Sequence, residues 1–283
     1  MILALTQDVP RNIRPKVDAG PDAVIKKGAT FSSAGSFTDL CSPSWTATVD
    51  YGDGSGAQPL PLNANMTFGL SHVYANDGLY AVTVRVTDNG GLTGSDMALV
   101  LVDGTLPACS LTAVIAGPPK QLQITGRDAG SGLQSIVVLQ STNADTVVPP
   151  FVAGTTGPVV VTATKIDQTF GSIVRLRVID RAGNATECDP VATLVVREAG
   201  MPVSQTFGGI PQAESQVTIM NGSPGVTNLQ VGVNGKRFAV AELKDGESRT
   251  IDVSSAMVAG NDNTVTLEAR GRPGGGADVV IHD

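Results

Sequence analysis

SWTATVDYGDGSG (residues 44–56) and SHVYANDGLYAVTVRVTD (residues 71–88) decide the fold. From Tyr80 to Thr87 apolar and polar residues alternate strictly. Tyr80, Val82, Val84 and Val86 therefore fall on one face, and Ala81, Thr83, Arg85 and Thr87 on the other. Such a strand is half buried and antiparallel, and Asn89-Gly90-Gly91 after it signals a hairpin turn. Tyr51-Gly52-Asp53-Gly54 reads as a turn whose glycines permit positive φ.

The rest of the chain repeats this grammar of short strands and tight turns. It has 283 residues, with 33 Gly and 17 Pro, too many residues for one sandwich of ~100 and enough for three. The expected class is all-β, three consecutive immunoglobulin-like or jelly-roll sandwiches. Their bounds are an N-terminal arm or linker at 1–16 and modules at 17–104, 105–198 and 199–283. Candidate strands of the second module are Gln121 to Thr125, Ser135 to Gln140, Pro158 to Ile166 and Ser172 to Asp180. In the third, Leu229, Val231 and Val233 run into Asn234-Gly235, a strong hairpin signal, and Phe238 and Val240 return. One helical turn is expected at Ser254-Ser255-Ala256-Met257. No fixed period with shared motifs unites the modules.

The first module resembles the polycystic-kidney-disease (PKD) repeat from about Val17 to Asp103. The marks are Trp45, Tyr51-Gly52-Asp53-Gly54-Ser55, His72-Val73-Tyr74, Gly78-Leu79-Tyr80 and Val86-Thr87-Asp88. The resemblance implies a seven-stranded immunoglobulin-like sandwich, used mainly as a spacer or protein-interaction module. In that fold Trp45 and Tyr80 are core residues. Asp128-Ala129-Gly130-Ser131-Gly132-Leu133 and Asp180-Arg181-Ala182-Gly183-Asn184 resemble turns of bacterial immunoglobulin-like surface repeats. The third module resembles no family.

Cysteines bear on the compartment. Cys109 and Cys188 sit near the two ends of the second module, 79 residues apart, where first and last strands of a sandwich come close. A bridge there implies an oxidising location, extracellular or at the cell surface; the other reading is two buried free thiols. Cys41 is left over, as a buried small hydrophobe or an exposed thiol.

The search for chemistry finds no Gly-x-Ser-x-Gly, His-Glu-x-x-His or Cys-x-x-Cys, and only two histidines. The expectation is no enzyme. Asp50 with Asp53 is the nearest carboxylate pair, in a turn with nothing to raise either pKa. Asp50, Asp53, Asp77 and Asp88 lie in turns and are the candidate calcium ligands, hard oxygen donors beside backbone carbonyls; the alternative is solvated turn aspartates. A net charge of −7 argues against nucleic acid, which demands clustered Lys and Arg. No run reaches the ~18 apolar residues of a membrane span. Met1 to Leu5 is apolar but stops at Asp8 and Pro10, short of an export-signal core of about 7–15 residues.

Two functions follow as expectations. One is a structural or adhesive extracellular segment acting through other protein chains or copies of itself, by edge strands. The other is a carbohydrate-binding accessory region of a secreted polysaccharide-degrading enzyme. Sugar faces stack on exposed Trp or Tyr, and all four such residues (Trp45, Tyr51, Tyr74, Tyr80) lie in the first module, which disfavours the second reading.

Overall fold

The structure, a computed structural model, describes residues 11–40, 42–115, 119–167, 172–188, 191–196, 203–210, 215–240, 242–259, 263–271 and 275–282. Cys41 and most of the N-terminal arm lie outside the described residues. The chain divides into two compact units, Met1–Thr105 with Arg181–Asn184, and Leu106–Asp180 with Ala185–Asp283.

The first unit holds strands β1 (Lys16–Asp18), β2 (Ala23–Lys26), β3 (Thr30–Thr38), β4 (Trp45–Asp50), β5 (Gln58–Pro59), β6 (Thr67–Val73), β7 (Gly78–Asp88) and β8 (Thr93–Asp103). Two sheets form, in the orders β1-β3-β6 and β2-β8-β7-β4-β5. The alternation read in β7 is kept: Val82, Val84 and Val86 are fully buried and Arg85 is exposed. They pack with Phe31, Phe68 and Leu70 of the facing sheet. Between β1 and β2 the chain changes sheet, so β2 joins β8 in parallel. Two carboxylates fix the crossing: the Ala19 N–H donates to Asp96 at 2.8 Å and the Leu99 N–H to Asp22 at 2.7 Å. Gly20 between them has φ +86°, and a Cβ there would stand 2.5 Å from the Ala34 carbonyl oxygen.

The second unit opens with β9 (Ala108–Ile115), β10 (Gln121–Arg127), β11 (Leu133–Thr142), β12 (Ala144–Val147), β13 (Val159–Lys165), β14 (Ser172–Asp180), β15 (Ala185–Cys188) and β16 (Val191–Val196). It continues with β17 (Val203–Ile210), β18 (Gln216–Asn221), β19 (Val226–Val233), β20 (Lys236–Ala239), β21 (Ser248–Asp252), β22 (Asn263–Gly271) and β23 (Gly276–His282), with a 3-10 turn at Ser254–Ala256. Three sheets result: β12-β13-β10-β9, β17-β22-β19-β20, and a seven-stranded sheet β11-β14-β16-β23-β18-β21 to which β15 adds beside β14. The Asn234-Gly235 hairpin forms with both residues at positive φ, closing Val233 opposite Lys236.

The modules expected at 105–198 and 199–283 each have a core, and both cores lie in the second unit. The last strand, β23, lies between β16 and β18. Its Val279 and Ile281 enter the third core and its Val280 the second. A strand with buried apolar side chains on both faces must be covered on both, and that requirement joins the two cores in one unit. A buried Asn221 organises the third core: its amide donates to the Val226 and Leu243 carbonyls at 2.9 and 3.0 Å and its oxygen accepts from the Val226 N–H at 2.8 Å. In the second core, Cys109 of β9 and Cys188 of β15 form a disulfide with Cα atoms 5.8 Å apart.

Two stability measurements check this packing. A Cβ on Gly35 would meet the Phe68 ring at 2.3 Å and the Asp18 carbonyl oxygen at 2.5 Å. Gly35→Ala should therefore destabilise the first unit by about 1–3 kcal/mol in thermal unfolding, as overpacking does. The bridge closes a loop of 79 residues, and its reduction should lower the unfolding free energy of the second unit by up to about 4.5 kcal/mol in chain-entropy terms. An unchanged transition under reductant would refute that contribution.

Candidate functional site

The motif residues of the first unit gather around one turn. Gly52, at φ +76°, turns the chain after β4, where a Cβ would stand 2.8 Å from the Ala81 carbonyl oxygen. Tyr51 follows inward, buried, and its hydroxyl accepts from the Ser71 N–H at 3.1 Å. The Tyr74 hydroxyl donates back to the Tyr51 carbonyl at 3.1 Å. His72 stacks on Tyr51 with centroids 4.3 Å apart and meets Tyr74 edge-on at 4.7 Å. Tyr80 stacks on Tyr74 at 4.2 Å and donates its hydroxyl to the Asn76 carbonyl. Burial pushes the Tyr74 phenol up, with the Asp53 charge adding to it.

The candidate calcium ligands are dispersed over this unit, each accepting from a backbone N–H. Asp50 accepts from the Gly52 N–H at 2.9 Å, Asp53 from the Ser55 N–H at 3.0 Å and Asp77 from the Gly104 N–H at 2.9 Å. Asp88 accepts from the Leu92 N–H at 2.9 Å and from the Asn12 amide at 3.0 Å. Asp53 also meets His72 Nε2 at 2.7 Å. The Ser55 hydroxyl and amide, then His72, hold the Asp53 carboxyl down at about 2. Asp50 and Asp53 share a loop, whereas Asp88 pairs with Trp45 at the far end of β4, roughly 16 Å along the strand from Asp50. Among the described residues none of the four belongs to a trio of ligand side chains within 4.8 Å.

The aromatic residues are engaged in packing. Trp45 lies edge-on to Phe37 at 5.3 Å and donates its indole N–H to Asp39 at 2.8 Å. Of the four Trp and Tyr residues, Tyr51 and Tyr74 are buried and Trp45 and Tyr80 half-buried, so none offers an exposed flat platform.

Three groups of the second unit were given no functional role in the sequence. Asp128 and Asp180 are buried with carboxylate oxygens within 4.8 Å of each other, and Asp128 accepts from the Gly132 N–H at 2.6 Å. Lys165 is buried at the end of β13. Its signal was present, because Val159, Val161, Ala163 and Lys165 share one parity of the strand. An open groove of about 200 Å³ on the outer sheet is lined by Gln230, Arg237, Thr266 and Glu268, polar side chains without an aromatic floor.

Comparison with known proteins agrees with the geometry of the first unit. The family model of the PKD domain matches residues 12–102. No curated protein matches the chain. Among solved structures, the fibronectin(III)-like modules of Clostridium thermocellum CbhA align at 17% identity with a TM-score of 0.32, covering 62% of this chain and 90% of that one. Residues 12–102, with the Tyr51, His72, Tyr74 and Tyr80 cluster at their centre, form a PKD domain.

Proposed function

We propose that the chain is a non-catalytic, extracellular structural or adhesive segment that acts through contacts with other protein chains, copies of itself included. The observation that carries this reading is the PKD domain at residues 12–102, a module of protein–protein and carbohydrate contact rather than of catalysis. The Cys109–Cys188 bridge fits an oxidising location. Among the described residues no helix is long and apolar enough to cross a membrane.

An edge strand supplies a surface for such contacts. β11 is the outermost strand of the seven-stranded sheet, and its sequence LQSIVVLQST contains no charge and no proline. Val137 and Leu139 on it are 42% and 44% exposed. Natural edges are usually blunted by lysine, proline, bulges or cover; β11 has two register shifts against β14 and a bridge from Leu133 to Thr155, which leaves the stretch beyond Leu133 as the part open to another strand. The half-buried Trp and Tyr side chains speak against the carbohydrate-binding alternative.

Light scattering over a concentration series, with calcium and with chelator, tests the reading. Concentration-dependent association is expected, and Val137→Lys should shift the mass towards the monomer. A chain monomeric throughout and retained on insoluble polysaccharide would overturn it in favour of the carbohydrate reading. Loss of association under chelator would bring the Asp50, Asp53, Asp77 and Asp88 turns back as calcium ligands.

A further inference from the structure

The alternation that buries Val82, Val84 and Val86 of β7 turns Leu79 and Ala81 to the other face of the sheet. On that face the ladder sets Leu79 opposite Leu101, Ala81 opposite Leu99 and Thr83 opposite Met97, with Val24 of β2 beside Leu101. Leu79, Ala81, Met97, Leu99, Leu101 and Val24 therefore form one continuous apolar patch over three adjacent strands. None of them belongs to the core of the first unit. Leu79 is 64% exposed and Met97 52%. The solvent face of an antiparallel pair is ordinarily polar, and an exposed apolar patch on it marks an interaction surface where single scattered residues would not.

The residues that border the patch bear on what covers it. Along β7 and β4 the same face continues with Thr83 and Arg85 opposite Asp50 and Thr48. An apolar centre with a polar rim is the build of a protein interface. A rim that carries both signs, Arg85 and Asp50, can meet its own copy without forcing like charges together. The face is also large enough. Four strands, β2, β8, β7 and β4, at about 4.8 Å spacing and the 11 residues of β7 at about 3.3 Å each give roughly 700 Å², close to the ~800 Å² per partner of a standard interface. We propose that a second copy of this chain docks across the outer face of β2, β8, β7 and β4, the two apolar patches covering each other about a two-fold axis. The inference rests on the protein-contact reading and names a surface other than the β11 edge.

Light scattering of the intact chain over a concentration series tests it. Met97→Glu places a carboxylate in the patch and should weaken association roughly tenfold or more. Leu79→Lys is an independent second variant with the same expected effect. Both side chains stand outside the core, so both variants should keep the circular dichroism of the unaltered chain, which separates lost docking from lost folding. Arg85→Glu should weaken association at low salt and have less effect at high salt, as a rim charge does. Undiminished association of Met97→Glu and Leu79→Lys, with Val137→Lys dissociating the chain, would overturn the proposal and leave the protein-contact reading standing. A chain monomeric at every concentration would overturn it too, whereas the wider reading falls only with retention on insoluble polysaccharide.

Discussion

The second unit depends on one strand that buries side chains on both faces. β23 comes from the chain's last residues, yet it lies in the middle of the seven-stranded sheet with β16 on one side and β18 on the other. Val279 and Ile281 are removed from water by the third core, and Val280 by the second. Each fully buried valine or isoleucine contributes about 1.5–3 kcal/mol of transfer free energy. Neither core can release β23 without exposing side chains of the other. Two modules thus share a wall.

In the first unit short-range polar bonds do the comparable work. A sandwich with so many turns must satisfy the amides that leave the ladders, since unpaired backbone groups are costly when shielded from water. Asp18, Asp50, Asp53 and Asp103 each accept an N–H two residues ahead, and Asp22, Asp77 and Asp96 reach amides far along the chain. These carboxylates hold turns and strand crossings. That explains why the candidate ligands are dispersed: each is placed by the turn or strand crossing it holds, not by a common centre.

What was legible in the sequence was local. The strict alternation in β7 and β14, the Asn234-Gly235 hairpin and the turn at Ser254 needed only neighbours in the chain, and Ser172 to Asp180 forms a strand with the expected bounds. The PKD marks were legible because each has a fixed partner: Tyr51 with Ser71 and Tyr74, His72 with Asp53. Long-range pairing was not. Nothing in Ala23–Lys26 says that it will lie parallel to Val100–Asp103, and nothing in Val279-Val280-Ile281 distinguishes a shared strand from an ordinary core strand. Lys165 is in phase with the inward residues of β13, but its chemistry masks that position. A lysine in an alternating run reads as a strand end seeking water, and only the cover of Val174, Met220 and Val280 makes its position interior.

The cover over Lys165 comes from strands that also build the third core. Val280 is both the residue by which β23 enters the second core and a wall of the cavity around Lys165, with Met220 of β18 beside it. The burial that lowers the Lys165 amine therefore derives partly from strands whose other faces stabilise the third core. Loosening that core would let water reach Lys165 and return it towards the ordinary lysine range, because desolvation is the largest cause of its displacement. The protonation of one side chain on β13 thus reports whether the shared wall is closed.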